Sequence, residues 1–314
     1  MPIIYFLLAL FCFNVGAQNY PNKPVVITVP FPPGTSTDVV GREVAQILSK
    51  ANGIAFVVDN KPGAQGLTGA SIIAKSPKDG YSLLFGNNTT QAAAPWISKN
   101  LSYDPIRDFE PIARIGAVVL ALVVKSDAPY ETVEQLIDFG KKHPGQLKWG
   151  YANGANQVSG AAIIKFGKLD AVGVPYKGVP QMLTDLVGAT IDFTVADVTN
   201  ISPLIKAGRL KALAVTSSDT IDSLPNVPPM SKYINGFSLL GWFALFAPIG
   251  TPVAYTAKLS EQILSGLQGK EVQERLKASG ILIYPGNVEE LRKFVISESE
   301  KWRGLVKDAN IQPE

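Results

Sequence analysis

The stretch Pro30-Phe31-Pro32-Pro33-Gly34-Thr35-Ser36-Thr37-Asp38 constrains the chain more than any other. It follows an apolar run, Val25 to Val29, that reads as a buried strand. It precedes Val40, Val44, Ile47 and Leu48, whose spacing predicts a helix stopping at Gly53. Strand, tight loop and helix in that order set a helix N-terminus at the C-terminal end of a strand. Ser36, Thr37 and Asp38 each suit the N-cap. Such an end presents unpaired backbone N–H groups and a partial positive charge. Gly34 lets the backbone come close, so the loop can hold an anion such as a carboxylate. An ordinary capped connection fits the same residues.

A second loop, Asp59 to Gly69 with Gly63, Ala64, Gln65 and Gly66 at its centre, has the same character. It follows the strand-like run Ile54 to Val58 and leads into a helix at Ala70 to Ala74. Loops at the C-terminal ends of strands are where open α/β sheets bind ligands. Neither loop carries G-x-G-x-x-G, and the phosphate-loop pattern G-x-x-x-x-G-K-[ST] does not occur. A third polar loop, Gly86 to Thr90 and including Asn88, closes the strand Ser82 to Phe85.

Further along, Val118 to Val124 is a continuous apolar run, as for a strand buried on both faces. A second unit follows: a helix at Val133 to Ile137 ended by Pro144-Gly145, a strand at Leu147 to Ala152, the loop Asn153-Gly154-Ala155-Asn156-Gln157, and a helix from Val158 to about Lys168. Strands at Ala171 to Pro175, Ile191 to Val195 (ending at Asp197) and Ala212 to Thr216 alternate with helical spacing, which predicts a mostly parallel sheet with helices on both faces. The C-terminal part reads as largely helical: Thr251-Pro252 as cap and first-turn proline, Gly280 as a stop, and Asn287 with Glu290 as a capping pair.

Composition excludes several classes. With 46% hydrophobic and 18% charged residues the chain is not generally disordered, and 314 residues suffice for two domains. A net charge of +3 without a Lys/Arg block gives no footprint for nucleic acid. Ile3 to Phe13 is apolar over signal-peptide length and is followed by Val15-Gly16-Ala17, so cleavage after about Ala17 is expected. The single cysteine, Cys12, lies in that segment, which leaves the mature chain without disulfide, thiol nucleophile or Cys-type metal site. The single histidine, His143, sits in Lys141-Lys142-His143-Pro144, where a solvated helix end accounts for it. Metal sites built on several His or Cys are excluded, and no G-x-S-x-G elbow exists. No cofactor is expected. What remains is an exported α/β chain whose Gly-, Ser-, Thr- and Asn-rich loops suit gripping a small polar ligand.

The residues resemble the substrate-binding proteins of tripartite tricarboxylate transporters, the TctC-like or Bug family of the bacterial periplasm. The similarity runs from Pro30 to Asp38 through Asn60-Lys61-Pro62-Gly63-Ala64, Asp79 to Leu84, Asp108 to Ala113, Val174 to Gly178, Ala212 to Ser217 and Ala247 to Pro252, and ends at Lys301-Trp302. The resemblance implies an α/β, two-lobed type II periplasmic-binding-protein fold, with residues 1–17 as signal peptide, 18–122 and 226–314 as lobe 1, and 123–225 as lobe 2. It implies a ligand in the inter-lobe cleft, a small carboxylate, held by Phe31, Gly34, Thr35, Ser36, Thr37, Asp38, Gly63, Ala64, Gln65, Gly66 and Asn88 from lobe 1. Lobe 2 would add Asn153, Ala155, Asn156 and Asp197. The expected partners are integral-membrane transporter subunits, the location is the periplasm, and the chain acts as a monomer. A membrane sensor as reader of the loaded protein, or an enzyme working through Asp38 or Asp197, are the other roles these residues allow. Thr35 and Gln65 stand where the family usually has glycine, Gln157 replaces another glycine and Ala161 a histidine, so side chains are expected where bare backbone is common.

Overall fold

The apolar runs and helical spacings become alternating strands and helices, and the structure, a computed structural model, describes residues 20–313. The signal-peptide expectation and Cys12 lie outside the described residues. In chain order the first elements are β1 (Val25–Val29), α1 (Ser36–Asn52), β2 (Phe56–Asn60), α2 (Leu67–Ala74), β3 (Ser82–Asn87), α3 (Ala94–Ile97) and β4 (Phe109–Lys125). Then come α4 (Val133–Lys142), β5 (Leu147–Tyr151), α5 (Gly154–Gly167), β6 (Ala171–Pro175), α6 (Val179–Val187), β7 (Phe193–Asp197), α7 (Val198–Lys206) and β8 (Leu210–Val215). The chain closes with β9 (Leu240–Pro248), α8 (Val253–Gly266), α9 (Lys270–Ala278), β10 (Ile281–Gly286) and α10 (Val288–Asp308).

The long strand β4 joins two sheets. Its first part, Phe109 to Val119, pairs with β9, and β10 lies on its other edge. Its last part, Leu120 to Lys125, pairs with β7 on one edge and β8 on the other. The first sheet runs β2-β1-β3-β9-β4, and the second β4-β7-β5-β6. Buried on both faces, Val118 to Val124 is apolar without a break for the reason strand-core runs generally are.

Outer strands pair in parallel as expected: β1 with β2 and β3, and β5 with β6 and β7. Around β4 and β9 every pairing is antiparallel, so both sheets are mixed. Parallel order puts the C-terminal ends of β1, β2 and β3 on one edge, which is why the first three loops meet there. Helices cover both faces of each sheet. Val40, Val44 and Leu48 of α1 pack with Ile263 of α8 and Phe85 of β3, while Met182 and Leu186 of α6 pack with Ile201 of α7. Trp302 of α10 is fully buried, as its helical spacing with Leu291 and Val295 predicts, and burial of one such apolar side chain is worth about 1.5–3 kcal/mol.

Some local expectations are corrected. The C-terminal part contains β9 and β10, and β9 is central to the first sheet. Thr251 does not cap α8: its hydroxyl donates to the Pro248 carbonyl, and Pro252 holds the cap position. Asn287 and Glu290 do form a capping box, each side chain accepting from the other's backbone N–H.

Candidate functional site

The first loop is built by its own side chains. The α1 cap is Thr35, not Ser36, Thr37 or Asp38: its hydroxyl accepts from the Asp38 N–H at 3.3 Å and donates to the Pro32 carbonyl at 2.9 Å. Thr35 thus spends its hydroxyl inside the loop. The amides of Ser36 and Thr37, in the first turn, keep no intrahelical acceptor. Asp38 turns away from the cleft. It accepts from the Gly34 N–H at 3.0 Å, from Asn60 at 2.9 Å and from Arg42 at 3.1 Å. Burial alone would raise its pKa, but the Arg42, Gly34 and Asn60 hydrogen bonds and the Arg42 charge outweigh burial and hold the carboxyl below its ordinary value.

Asp38→Ala is therefore expected to lower affinity and stability together, because Gly34, Asn60 and Arg42 lose their acceptor. Hydrogen bonds to a charged group are worth about 1.5–3 kcal/mol, and the Asp38 contribution is present above an aspartate's ordinary pKa and fades as pH falls through its lowered folded value. Thermal melts of wild type and variant at pH 7 and below pH 3 test this. An equal gap at both pH values would count against it.

The second loop runs through left-handed backbone at Gly63 (φ 150°), Ala64 (φ 44°), Gln65 (φ 55°) and Gly66 (φ 94°). A Cβ at Gly66 would come within 2.7 Å of Phe31, so glycine there lets the second loop lie against the first. The left-handed turn sends the Gln65 side chain across to α5, where its amide donates to the Gln157 side-chain oxygen Oε1 at 3.3 Å. The two glutamines thus meet each other, and neither lines the cavity below. Gln65→Gly removes this bond, worth about 0.5–1.5 kcal/mol, and is expected to speed ligand dissociation about 2–10-fold. Stopped-flow release at an unchanged rate would exclude the bond from the bound state.

In the third loop Asn87 shapes the backbone and Asn88 faces the cavity. Asn87 accepts from the Thr89 N–H at 2.9 Å and donates to the Thr37 hydroxyl at 3.2 Å. Asn88 accepts weakly from the Trp242 N–H at 3.4 Å, and its side-chain NH₂ is buried without a partner.

From the second sheet, Asn153 caps α5 by accepting from the Asn156 N–H at 3.0 Å, so α5 begins at Gly154, in the segment expected to be a loop. Asn156 is fully buried and bonds only backbone, donating to Val195 at 2.8 Å and accepting from Ala152 at 3.3 Å. Gly178 holds the N-terminus of α6 without a side-chain cap, and Asp197 holds that of α7.

Both sides are in contact. The Ser36 hydroxyl donates to Asp197, Asn200 donates to the Gly34 carbonyl at 2.8 Å, and the Gly154 N–H donates to the Thr89 hydroxyl at 3.2 Å. Gly178 lies against Pro32, where a Cβ would come within 2.6 Å. They enclose a cavity of about 20 Å³, the room of a single buried water. Of the expected residues, Phe31, Thr35, Ser36, Thr37, Asn88, Asn153, Ala155 and Asp197 line it. Gly34, Asp38, Gly63, Ala64, Gln65, Gly66 and Asn156 are not among the lining residues. Sequence reasoning missed Asn87, Val118, Ala152, Gly178, Val179, Gly241 and Phe243 as lining residues. Asn87 and Gly178 fell within quoted motifs, whereas Gly241 and Phe243 arrive on the unforeseen strand β9.

No Lys, Arg or His is among the lining residues, and Asp197 is the charged one. Burial pushes its carboxyl up to about 6, with the Ser36 hydrogen bond acting the other way. The described residues hold no cluster of three metal-ligating side chains, and none of their helices is long and apolar enough to cross a membrane. What the arrangement offers an anion is the first-turn amides of α1 and the Asn88 side-chain NH₂, with one carboxylate facing them.

A family model described as tripartite tricarboxylate transporter family receptor matches residues 40–311. A Rhodopseudomonas palustris protein solved with adipate is 29% identical, with a TM-score of 0.90, covering 94% of this chain and 100% of that one. The periplasmic binding protein BugD is 31% identical with a TM-score of 0.89, over 94% and 100% of the two chains. MatC from Rhodopseudomonas palustris, solved with malate, is 27% identical with a TM-score of 0.86, over 91% and 100%.

Proposed function

Because the chain belongs to the tripartite tricarboxylate transporter receptor family, we propose that it captures a small carboxylate in the periplasm and delivers it to an integral-membrane transporter. The family is one of solute receptors, not enzymes, and its structurally similar members include proteins solved with adipate and with malate. The observation that carries the reading is the meeting of helix N-termini from both sheets, α1 on one side and α5 and α6 on the other, around one cavity lined by no cationic side chain. Each such end contributes about 0.3–1 kcal/mol toward an anion, and up to ~2 when partly buried. With several amide and hydroxyl bonds, that suits micromolar binding, about −8 kcal/mol.

Lobe 1 is residues 18–122 with 226–314, and lobe 2 is residues 123–225. The handover of β4 from β9, last paired at Val119, to β7, first paired at Leu120, supports a boundary near there. A cavity with room for about one water is too small for a carboxylate with a carbon skeleton, so the contacts across the cleft part to admit it and re-form around it. The export signal is cleaved after about Ala17, and the chain works as a monomer. The retained residues hold the ligand by the Ser36 and Thr37 amides, by Asn88 and by the α5 N-terminus at Asn153 to Ala155.

A thermal-shift screen of the chain from Gln18 onward tests the reading. The panel is citrate, C4 dicarboxylates, acidic amino acids and aromatic carboxylates, with neutral sugars as controls. A ligand at 100 times its Kd stabilises by about 2.7 kcal/mol, several degrees at roughly 2–4 °C per kcal/mol. A shift with carboxylates and none with sugars is expected. Shifts with sugars alone would sink the carboxylate assignment.

A further inference from the structure

We infer that the carboxylate this chain binds also carries a hydrogen-bond donor, a hydroxyl or an ammonium, and that Asp197 is the residue that selects for it. The inference rests on reading the cleft as a carboxylate site and narrows the ligand to hydroxy- and amino-carboxylates.

The two sides of the cavity differ in what they can accept. On the lobe 1 side stand donors: the first-turn amides of α1 and the Asn88 side-chain NH₂. Asn88 is 3% exposed, lines the cavity, and has no acceptor in the protein for that NH₂. An amide NH₂ can only donate, so it calls for an acceptor such as a carboxylate oxygen. Opposite, Asp197 is 7% exposed and lines the same cavity, so one small molecule must satisfy both.

An ionised carboxylate only accepts. Ser36 occupies one of its oxygens, which leaves capacity for a further donor. No Lys, Arg or His lines the cavity, and Arg42 of α1 is committed to Asp38 and Asn60, so Asp197 has no cationic partner among the lining residues. A second ligand carboxylate set against Asp197 would meet like charge in a buried site. A ligand hydroxyl or ammonium would instead receive a charge-assisted hydrogen bond, roughly twice as strong as a neutral one. The upward push of burial on the Asp197 carboxyl agrees, because it marks a buried charge whose compensation is incomplete.

The test is calorimetry at neutral pH with acids matched in carbon skeleton and differing in one substituent: succinate, malate and aspartate; glutarate, 2-hydroxyglutarate and glutamate; 3-phenylpropionate, 3-phenyllactate and phenylalanine. In each set that binds, the hydroxy or amino member is expected to bind at least about tenfold tighter than the unsubstituted acid, a difference of about 1.4 kcal/mol. Asp197→Asn is expected to shrink that preference to less than about threefold, mainly by improving the unsubstituted acid. Asn88→Ala, which touches the carboxylate end, is expected to weaken all members of a set alike and leave their ratio intact. An unsubstituted acid that binds wild type as tightly as its substituted partners overturns the inference, and so does a ratio unchanged in Asp197→Asn. Should that variant not fold, the wild-type ratio alone decides. If unsubstituted acids bind well, the receptor reading stands and only the selection by Asp197 falls. If no carboxylate binds, both fall.

Discussion

Asp197→Asn is expected to make the ligand-free protein more stable at pH 7.5, although it removes a residue placed in the site. Asp197 is buried at the end of β7, and burial pushes its carboxyl from the ordinary 3.8 to about 6. Over that window the folded chain holds a proton that the unfolded chain has released. Stability therefore falls as pH rises from about 4 to about 6, and the full cost of the buried charge is present above that. A shift of this size is worth on the order of 3 kcal/mol. Asparagine carries no charge and can still accept from Ser36 through its amide oxygen. Wild type and variant should then melt together near pH 4 and diverge by several degrees by pH 7.5, the variant higher. A variant that melts lower at every pH would show that the charge is compensated in the folded state. Holding a destabilising carboxylate in the cleft is the stability–function compromise common in binding sites.

The second large effect is structural. Asn156→Ala should destabilise by about 3 kcal/mol or more, because it leaves the Val195 carbonyl and the Ala152 N–H unpaired in a fully buried position, at about 1–3 kcal/mol for each group. Those bonds fasten the first turn of α5 to β7 and to the end of β5, so the lobe 2 half of the site depends on them. Urea unfolding of the ligand-free protein measures the loss. A change under 1 kcal/mol would mean that water or a shift of α5 supplies the missing partners.

These residues also mark where local reading of the sequence succeeds and stops. The strand, loop and helix at Val25 to Asn52 were legible because apolar run, Gly34 and helical period follow one another directly. The cap is Thr35, just before the three candidates Ser36, Thr37 and Asp38; all four have capping chemistry, and only backbone geometry distinguishes them. Helix α5 starts at Gly154; helical spacing predicts the later start at Val158 because Asn153, Gly154 and Asn156 are poor helix formers. In the structure those residues serve as a cap and as a tie to β7, which propensity does not register.

Strand β9 reads as an apolar stretch beside strong helix signals, and its pairing with both β3 and β4 is a long-range fact. Strand β10 is short, with Leu282 and Tyr284 exposed, and gives little alternation to read. The contacts that close the cleft lie beyond any local rule. Ser36 and Asp197 are 161 residues apart, and Gln65 and Gln157 are 92 apart. Gln65 and Gln157 each stood out in the sequence as a departure from the family pattern, but their contact with each other needed the fold.

The most direct measurement is calorimetric titration of a binding carboxylate into wild type and into Ser36→Asp. That variant sets a second carboxylate at the N-terminus of α1, against Asp197 and in the path of any anion held there. Circular dichroism would confirm that both chains are folded. The account predicts micromolar binding to wild type and at least about 100-fold weaker binding to the variant, about 2.7 kcal/mol. Equal affinity in the two proteins would mean that the carboxylate binds outside this cleft, and the central claim would fail.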